Sequence, residues 1–158
     1  MPRHTIPRPT PAEHSKAPSS AVQRRRAVID RVLQFAEHLQ PAERSLLRCA
    51  YDWGVNSREI ALLTGLQPRT VRKRIKALLK RVNSAKFKRV LPLVPHFPEP
   101  RRTIAQLVIL RGMRQRDAAI HLGLTVHQVR RELVHIDATC DAAEDNQQIH
   151  DLVASRRS

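Results

Sequence analysis

Gly65 and Pro68 stand three residues apart between two runs of helical periodicity, and that spacing constrains the chain more than any other feature. Across residues 56–82, NSREIALLTGLQPRTVRKRIKALLKRV, the pattern reads as helix, tight turn, helix. Ser57 is the expected N-cap of the first helix, and Glu59 lies in its first turn, where negative charge suits a helix N-terminus. Ile60, Leu62 and Leu63 are expected to pack, and Ala61 is small enough to admit a neighbouring helix. Gly65 ends that helix because glycine takes positive φ without a Cβ clash. Leu66 can turn into the corner. Pro68 takes the first position of the second helix, where its missing N–H costs nothing.

On that second helix Val71, Ile75, Leu78 and Val82 share one face. At about 100° per residue, Arg69, Lys73, Lys76 and Lys80 fall opposite them, with Arg72 and Arg74 on the flanks and Thr70 near the start. One apolar face, one cationic face and a glycine corner fit the recognition helix of a helix-turn-helix. The competing reading is a solvated charged face on a structural helix. Glycine corner, proline start and one-sided basicity coincide here, which favours DNA binding.

The charge balance points the same way. The 158 residues carry 29 Lys and Arg against 14 Asp and Glu, net +15, which implies a polyanionic partner. Residues 41–98 hold 13 basic and 3 acidic side chains, whereas residues 99–158 hold 9 and 8. Polyanion affinity is therefore expected in the first part. Aromatics make up only 3 % and glycines number four, which favours aliphatic, all-α packing over a sheet. No apolar run approaches the roughly 20 residues of a membrane span, and no signal peptide is evident, so the expected location is the bacterial cytoplasm or nucleoid, with no membrane partner.

In chain order, residues 1–20 carry five of the eleven prolines and read as a disordered basic tail, with Arg3, Arg8 and Lys16 as possible phosphate contacts. Residues 21–39 read as a helix capped by Ser20, with Val28, Ile29, Val32, Leu33, Ala36 and Leu39 as its stripe. Pro41 opens a helix over 41–53, with Trp53 as a core anchor. The first helical domain is thus 21–83. Residues 84–100 pack four prolines into PLVPHFPEP and read as an extended, semi-stiff linker.

Residues 101–158 then repeat the unit at an offset of 58. Gly54 meets Gly112, Arg58 meets Arg116, Gly65–Leu66 meet Gly123–Leu124, and Val71–Arg72 meet Val129–Arg130. Helices are expected over 101–111, 115–122 and 126–140, with Thr125 capping the last. The fold class is therefore all-α, a tandem helix-turn-helix (winged-helix-like or sigma region 4-like) of three- to four-helix bundles. Opposite the second apolar stripe stand His127, Arg131, Val134 and Ala138, so this copy either reads bases with few phosphate contacts or docks on protein. Ile149, Leu152 and Val153 suggest a short helix lying back on the second unit, or a frayed tail.

No phosphate loop, dinucleotide fingerprint, zinc spacing or linked nucleophile is present, so no enzyme, cofactor or metal is expected. Cys49 and Cys140 have no motif spacing.

The segment REIALLTGLQPRTVRKRIKALLKR resembles the fourth conserved region of bacterial RNA polymerase sigma factors, which reads the −35 promoter element. PAERSLLRCAYDWGVNSREIA is similar to that region's lead-in, and 101–134 resembles it more weakly. The resemblance implies that Arg69, Thr70, Arg72, Lys73 and Arg74 contact DNA, that Arg58 approaches phosphate, and that RNA polymerase is a partner. Gln67 stands where that family places a capping Ser or Thr, and 40 residues precede the lead-in instead of a promoter-melting region. A small regulator built on the module is therefore expected.

The candidate contacts to double-stranded DNA are Arg58, Gln67, Arg69, Thr70, Arg72, Lys73, Arg74, Lys76 and Lys80, then His127, Gln128, Arg130 and Arg131 in the second copy. The alternatives are a protein-interaction adaptor on RNA polymerase or another complex, and the DNA-recognition module of a transposase-like system. RNA binding is disfavoured because few aromatic stacking platforms exist.

Overall fold

Helical periodicity is realised as helix along the chain. The computed structural model describes residues 20–155, and side chains as far as Gln148; the expected N-terminal tail over 1–19 and the roles given to Ile149, Leu152 and Val153 lie outside what is described. Among the described residues the protein is all-helical, with no strand. No helix among them is long and apolar enough to cross a membrane.

Helix α1 (Ser20–Ala36) begins at Ser20 itself and ends three residues earlier than the apolar pattern suggests, in a turn that buries Leu39. Its deep contacts are Val32 and Ala36; Val28, expected in the stripe, is exposed. Pro41 opens α2 (Pro41–Tyr51), whose fully buried anchor is Leu47. Trp53 is not a core anchor. It follows the end of α2 and stays 67 % exposed, because Gly54 turns the chain away at φ +66° before the ring can be covered.

Helix α3 (Ser57–Thr64) and helix α4 (Pro68–Val82) follow. Their buried residues are Ile60 and Ala61 on α3 and Val71, Ile75, Leu78 and Val82 on α4. Leu62 and Leu63 do not pack as expected; they are 85 % and 79 % exposed. At about 100° per residue they fall away from the face that Ile60 and Ala61 turn to α2 and α4.

The stretch expected as an extended linker is helical and buried. Ser84 caps a short helix α5 (Ala85–Val90), its Oγ accepting from the Phe87 N–H at 3.2 Å. A 3-10 helix (Leu91–His96) continues directly. Its prolines are accommodated because Pro92 sits at the start, where no intrahelical N–H is needed, and because the segment is too short to demand an unbroken α ladder. Phe87, Val90, Val94 and Phe97 are all buried and follow one another by three, four and three residues. The rings of Phe87 and Phe35 meet edge to face at 5.9 Å, which ties this stretch to α1.

Helix α6 (Arg101–Ile104) runs into a π-helical turn, Ala105–Leu110, where a single α-helix over 101–111 was expected. Ile104, Ala105, Leu107, Ile109 and Leu110 are all buried, so this element is covered on nearly every side. Helix α7 (Gln115–Leu122) matches its expected bounds. Helix α8 (Val126–Ser155) does not end near Cys140 with a separate short helix after it; it continues unbroken for 30 residues.

The buried residues form one continuous cluster, from Val32 on α1 through Phe87 and Ile104 to Ile136 and Cys140 on α8. Ion pairs tie α5 across to α8: Lys86 to Asp137 at 2.8 Å, and Arg89 to Asp141 and Glu144 at 3.1 Å each. Residues 84–100 thus serve as packing material between the two halves.

Candidate functional site

The α3–α4 corner is set by short-range chemistry. The cap of α3 is Asn56, one residue earlier than expected. Its Oδ1 accepts from the Arg58 and Glu59 N–H groups at 2.9 and 3.1 Å, while Glu59 Oε2 accepts from the Asn56 N–H at 3.0 Å. That reciprocal pair is a capping box, with Ser57 following it as the first residue of the helix. Gly65 closes α3 at φ +67°, and the Leu66 N–H donates to the Ala61 carbonyl at 3.1 Å. Gln67 precedes α4 without capping it through its side chain, and Pro68 begins the helix.

Burial of Val71, Ile75, Leu78 and Val82 turns the remainder of α4 to solvent. Arg69, Arg72, Lys73, Arg74, Lys76 and Lys80 are exposed, as are Arg58 on α3 and Gln67 in the turn; Thr70 is half-buried. None of these seven cations has an ion-pair or hydrogen-bond partner among the described residues. From Arg69 to Lys80 the row runs about 16 Å at a rise of about 1.5 Å per residue. A row of unpaired cations on a rigid helix releases counterions when a polyanion lies against it, which is a source of affinity.

Arg74 stands apart from that row. It lines an open cleft of about 490 Å³ with Ala42, Glu43, Leu46, Arg81 and Gly112. Arg81, absent from the sequence-based candidates, is the cation of α4 that is held within the protein: its Nη2 meets Glu43 Oε1 at 2.6 Å. A second open hollow, about 500 Å³, lies at the corner between Arg58, Leu62, Gly65, Leu66 and Pro68. The exposed Leu62 on its wall was readable from the helical wheel, since it falls on the side away from Ile60.

The second unit repeats the corner but engages its polar side chains differently. Gly123 closes α7 at φ +65°, and Leu124 N–H donates to Ala119 O at 2.9 Å, matching Gly65 and Leu66. Helix α8 has the capping box that α4 lacks. Thr125 Oγ1 accepts from the Gln128 N–H at 3.1 Å, and Gln128 Oε1 accepts from the Thr125 N–H at 2.8 Å. Gln128, a candidate contact, is thereby committed to the cap. Arg130 Nε donates to Gln115 Oε1 at 3.3 Å, and Arg114 pairs with Asp117 at 2.7 Å, which holds the guanidinium above its usual range. His127 and Arg131 are exposed, and Arg131 has no partner among the described residues.

Among the described residues no cluster of His, Cys, Asp or Glu is arranged to hold a metal ion. Burial pushes the Cys140 thiol above its usual range, which disfavours the thiolate. Comparison with protein-family models, with curated proteins and with solved structures finds no match to this chain.

Proposed function

We propose that this chain is a sequence-specific double-stranded DNA-binding protein acting in transcription, a regulator or sigma-like factor. In this reading α3–α4 is a helix-turn-helix, α7–α8 is a second, weaker copy, and α4 enters a major groove. The observation that carries it is the set of seven exposed, unpaired cations on α3 and α4, on a chain whose other arginines are in several cases tied to carboxylates. Arginines early on α4 are suited to pair bidentately with guanine, and the later lysines to neutralise phosphates. Arg58 adds a phosphate contact from α3. The second copy has Val134 and Ala138 where the first has Lys76 and Lys80, so its contribution to backbone affinity is small.

The test is duplex binding against salt, read by fluorescence anisotropy on a randomised pool and on duplexes selected from it. Affinity is expected to fall steeply, by about 0.9 log–log units for each phosphate contact, and selection is expected to enrich a short motif. A steep slope with no motif leaves only backbone binding. No binding at moderate salt overturns the reading in favour of a protein-docking adaptor.

A further inference from the structure

We propose that α8 is a self-complementary pairing surface through which two copies of this chain associate, helix against helix and antiparallel. Its buried face is Val129, Leu133, Ile136 and Cys140. On the opposite face stand His127, Arg131, Val134, Ala138, Asp141 and Asp145, all exposed and separated alternately by four and three residues. That is the spacing of the contact positions in a two-helix coil, here with Val134 and Ala138 as the apolar centre and charged side chains at either end. Turned end for end about Ile136, the seam meets itself in register. Arg131 falls opposite Asp141, His127 opposite Asp145, and Val134 opposite Ala138. One surface therefore supplies both halves of every pair, which a two-fold contact between identical chains requires. A parallel alignment would instead set Arg131 on Arg131 and Asp141 on Asp141.

Two further observations support a second copy as the occupant. Helix α8 is 30 residues long, twice the 15 of α4, yet no residue from Asp141 to Gln148 is buried. Within the chain this extension is held by Arg89, which pairs with Asp141 and Glu144, and by the half-buried Ala143, so most of its surface stays open to a partner. Residues 99–158 are also nearly neutral, so two copies meeting through this part avoid the net repulsion that two basic first halves would feel. Asp141 Oδ1 accepts from Arg89 Nη1 at 3.1 Å, but the side chain remains 65 % exposed, which leaves Oδ2 for a partner.

The test is sedimentation equilibrium on the full chain without DNA, so its outcome is independent of the DNA-binding proposal. The mass is expected to rise with concentration from 18.1 kDa toward twice that value. Val134→Glu places a charge at an already exposed position, so it is expected to keep the helical circular dichroism and weaken the dimer. Arg131→Glu and Asp141→Arg are each expected to weaken it about tenfold or more, and the double swap to recover most of the loss, because opposite charges again face each other. Should Asp141→Arg disturb Arg89, the swap is repeated with His127→Glu and Asp145→Arg, which face each other in the same register and break no ion pair among the described residues. A monomer at all concentrations up to about 100 µM overturns the proposal. So does a dimer indifferent to Val134→Glu, or one the double swap fails to restore.

Discussion

Arg81 Nη2 lies 2.6 Å from Glu43 Oε1, and the same guanidinium covers Gly112, the glycine that leads into α7. One side chain at the end of the basic helix thus binds α2 and rests on the start of the second unit. The pair is largely shielded from solvent, with Arg81 20 % and Glu43 28 % exposed.

Gly112→Ala is expected to destabilise the protein more than Gly54→Ala. Both glycines have φ +66°, which costs an L residue about 1–2 kcal/mol. A Cβ at Gly112 would also overlap the Arg81 guanidinium, whereas at Gly54 it meets nothing within 4 Å. Urea midpoints of the two variants check the order, and equal losses would mean that Arg81 yields freely.

Phe87→Ala is expected to cost about 3–5 kcal/mol, the price of emptying an aromatic site in a core. The ring is fully buried and meets Phe35 edge to face. Chemical denaturation should show the loss in a single transition. A change under about 1 kcal/mol would show that the stretch behaves as a surface connection.

Asn56→Ala is expected to cost about 1 kcal/mol, because it removes the oxygen that receives two N–H groups at the start of α3. Gln67→Ala, before α4, should be near neutral, since Gln67 makes no side-chain capping bond. Thermal melts of the two single variants distinguish the two helix starts.

Alanine at Arg69, Lys73 and Lys76 together is expected to leave the fold intact, since all three are exposed and unpaired. The salt dependence of duplex binding should become shallower by about 2–3 log–log units if each contacts a phosphate. Circular dichroism run alongside identifies the contrary result, in which the helix itself is lost.

Acid should weaken the join between α1 and α2. The hydrogen bond from Arg44, reinforced by the charge of Arg48, holds the Glu37 carboxyl below its usual range. A carboxyl with a lowered value in the folded state stabilises above the ordinary glutamate range, and that contribution is lost as pH falls through the lowered value. Glu37→Gln should flatten the acid side of the stability profile, measured as urea midpoint against pH. An unchanged profile would place the acid sensitivity elsewhere.

The helical nature of the chain, the offset of 58 between its halves and the bounds of α7 were legible because they rest on local chemistry. Gly65 and Gly123 adopt the positive φ that ends a helix, Pro41 and Pro68 tolerate a first turn, and Thr125 caps α8 as its hydroxyl allows. The cationic face of α4 was legible for the same reason: once Val71, Ile75 and Leu78 turn inward, the angle between residues sends Arg69, Lys73 and Lys76 outward. The stretch 84–100 was misread because its prolines outweighed the spacing of Phe87, Val90, Val94 and Phe97, which already had a helical period.

Which apolar side chains are covered was decided by tertiary structure alone. Trp53, Leu62 and Leu63 have the hydrophobicity of core residues, yet no element arrives over them. Phe87 is buried because α1 brings Phe35 to it from 52 positions away. Arg81 and Arg74 lie about two turns apart on the same side of α4, and only the arrival of Glu43 and Gly112 makes one a structural tie and leaves the other unpaired. The sequence by itself determined helices, their ends and their faces, because those depend on neighbours within a few residues. Burial and pairing waited on the fold, because they depend on side chains that local pattern does not locate.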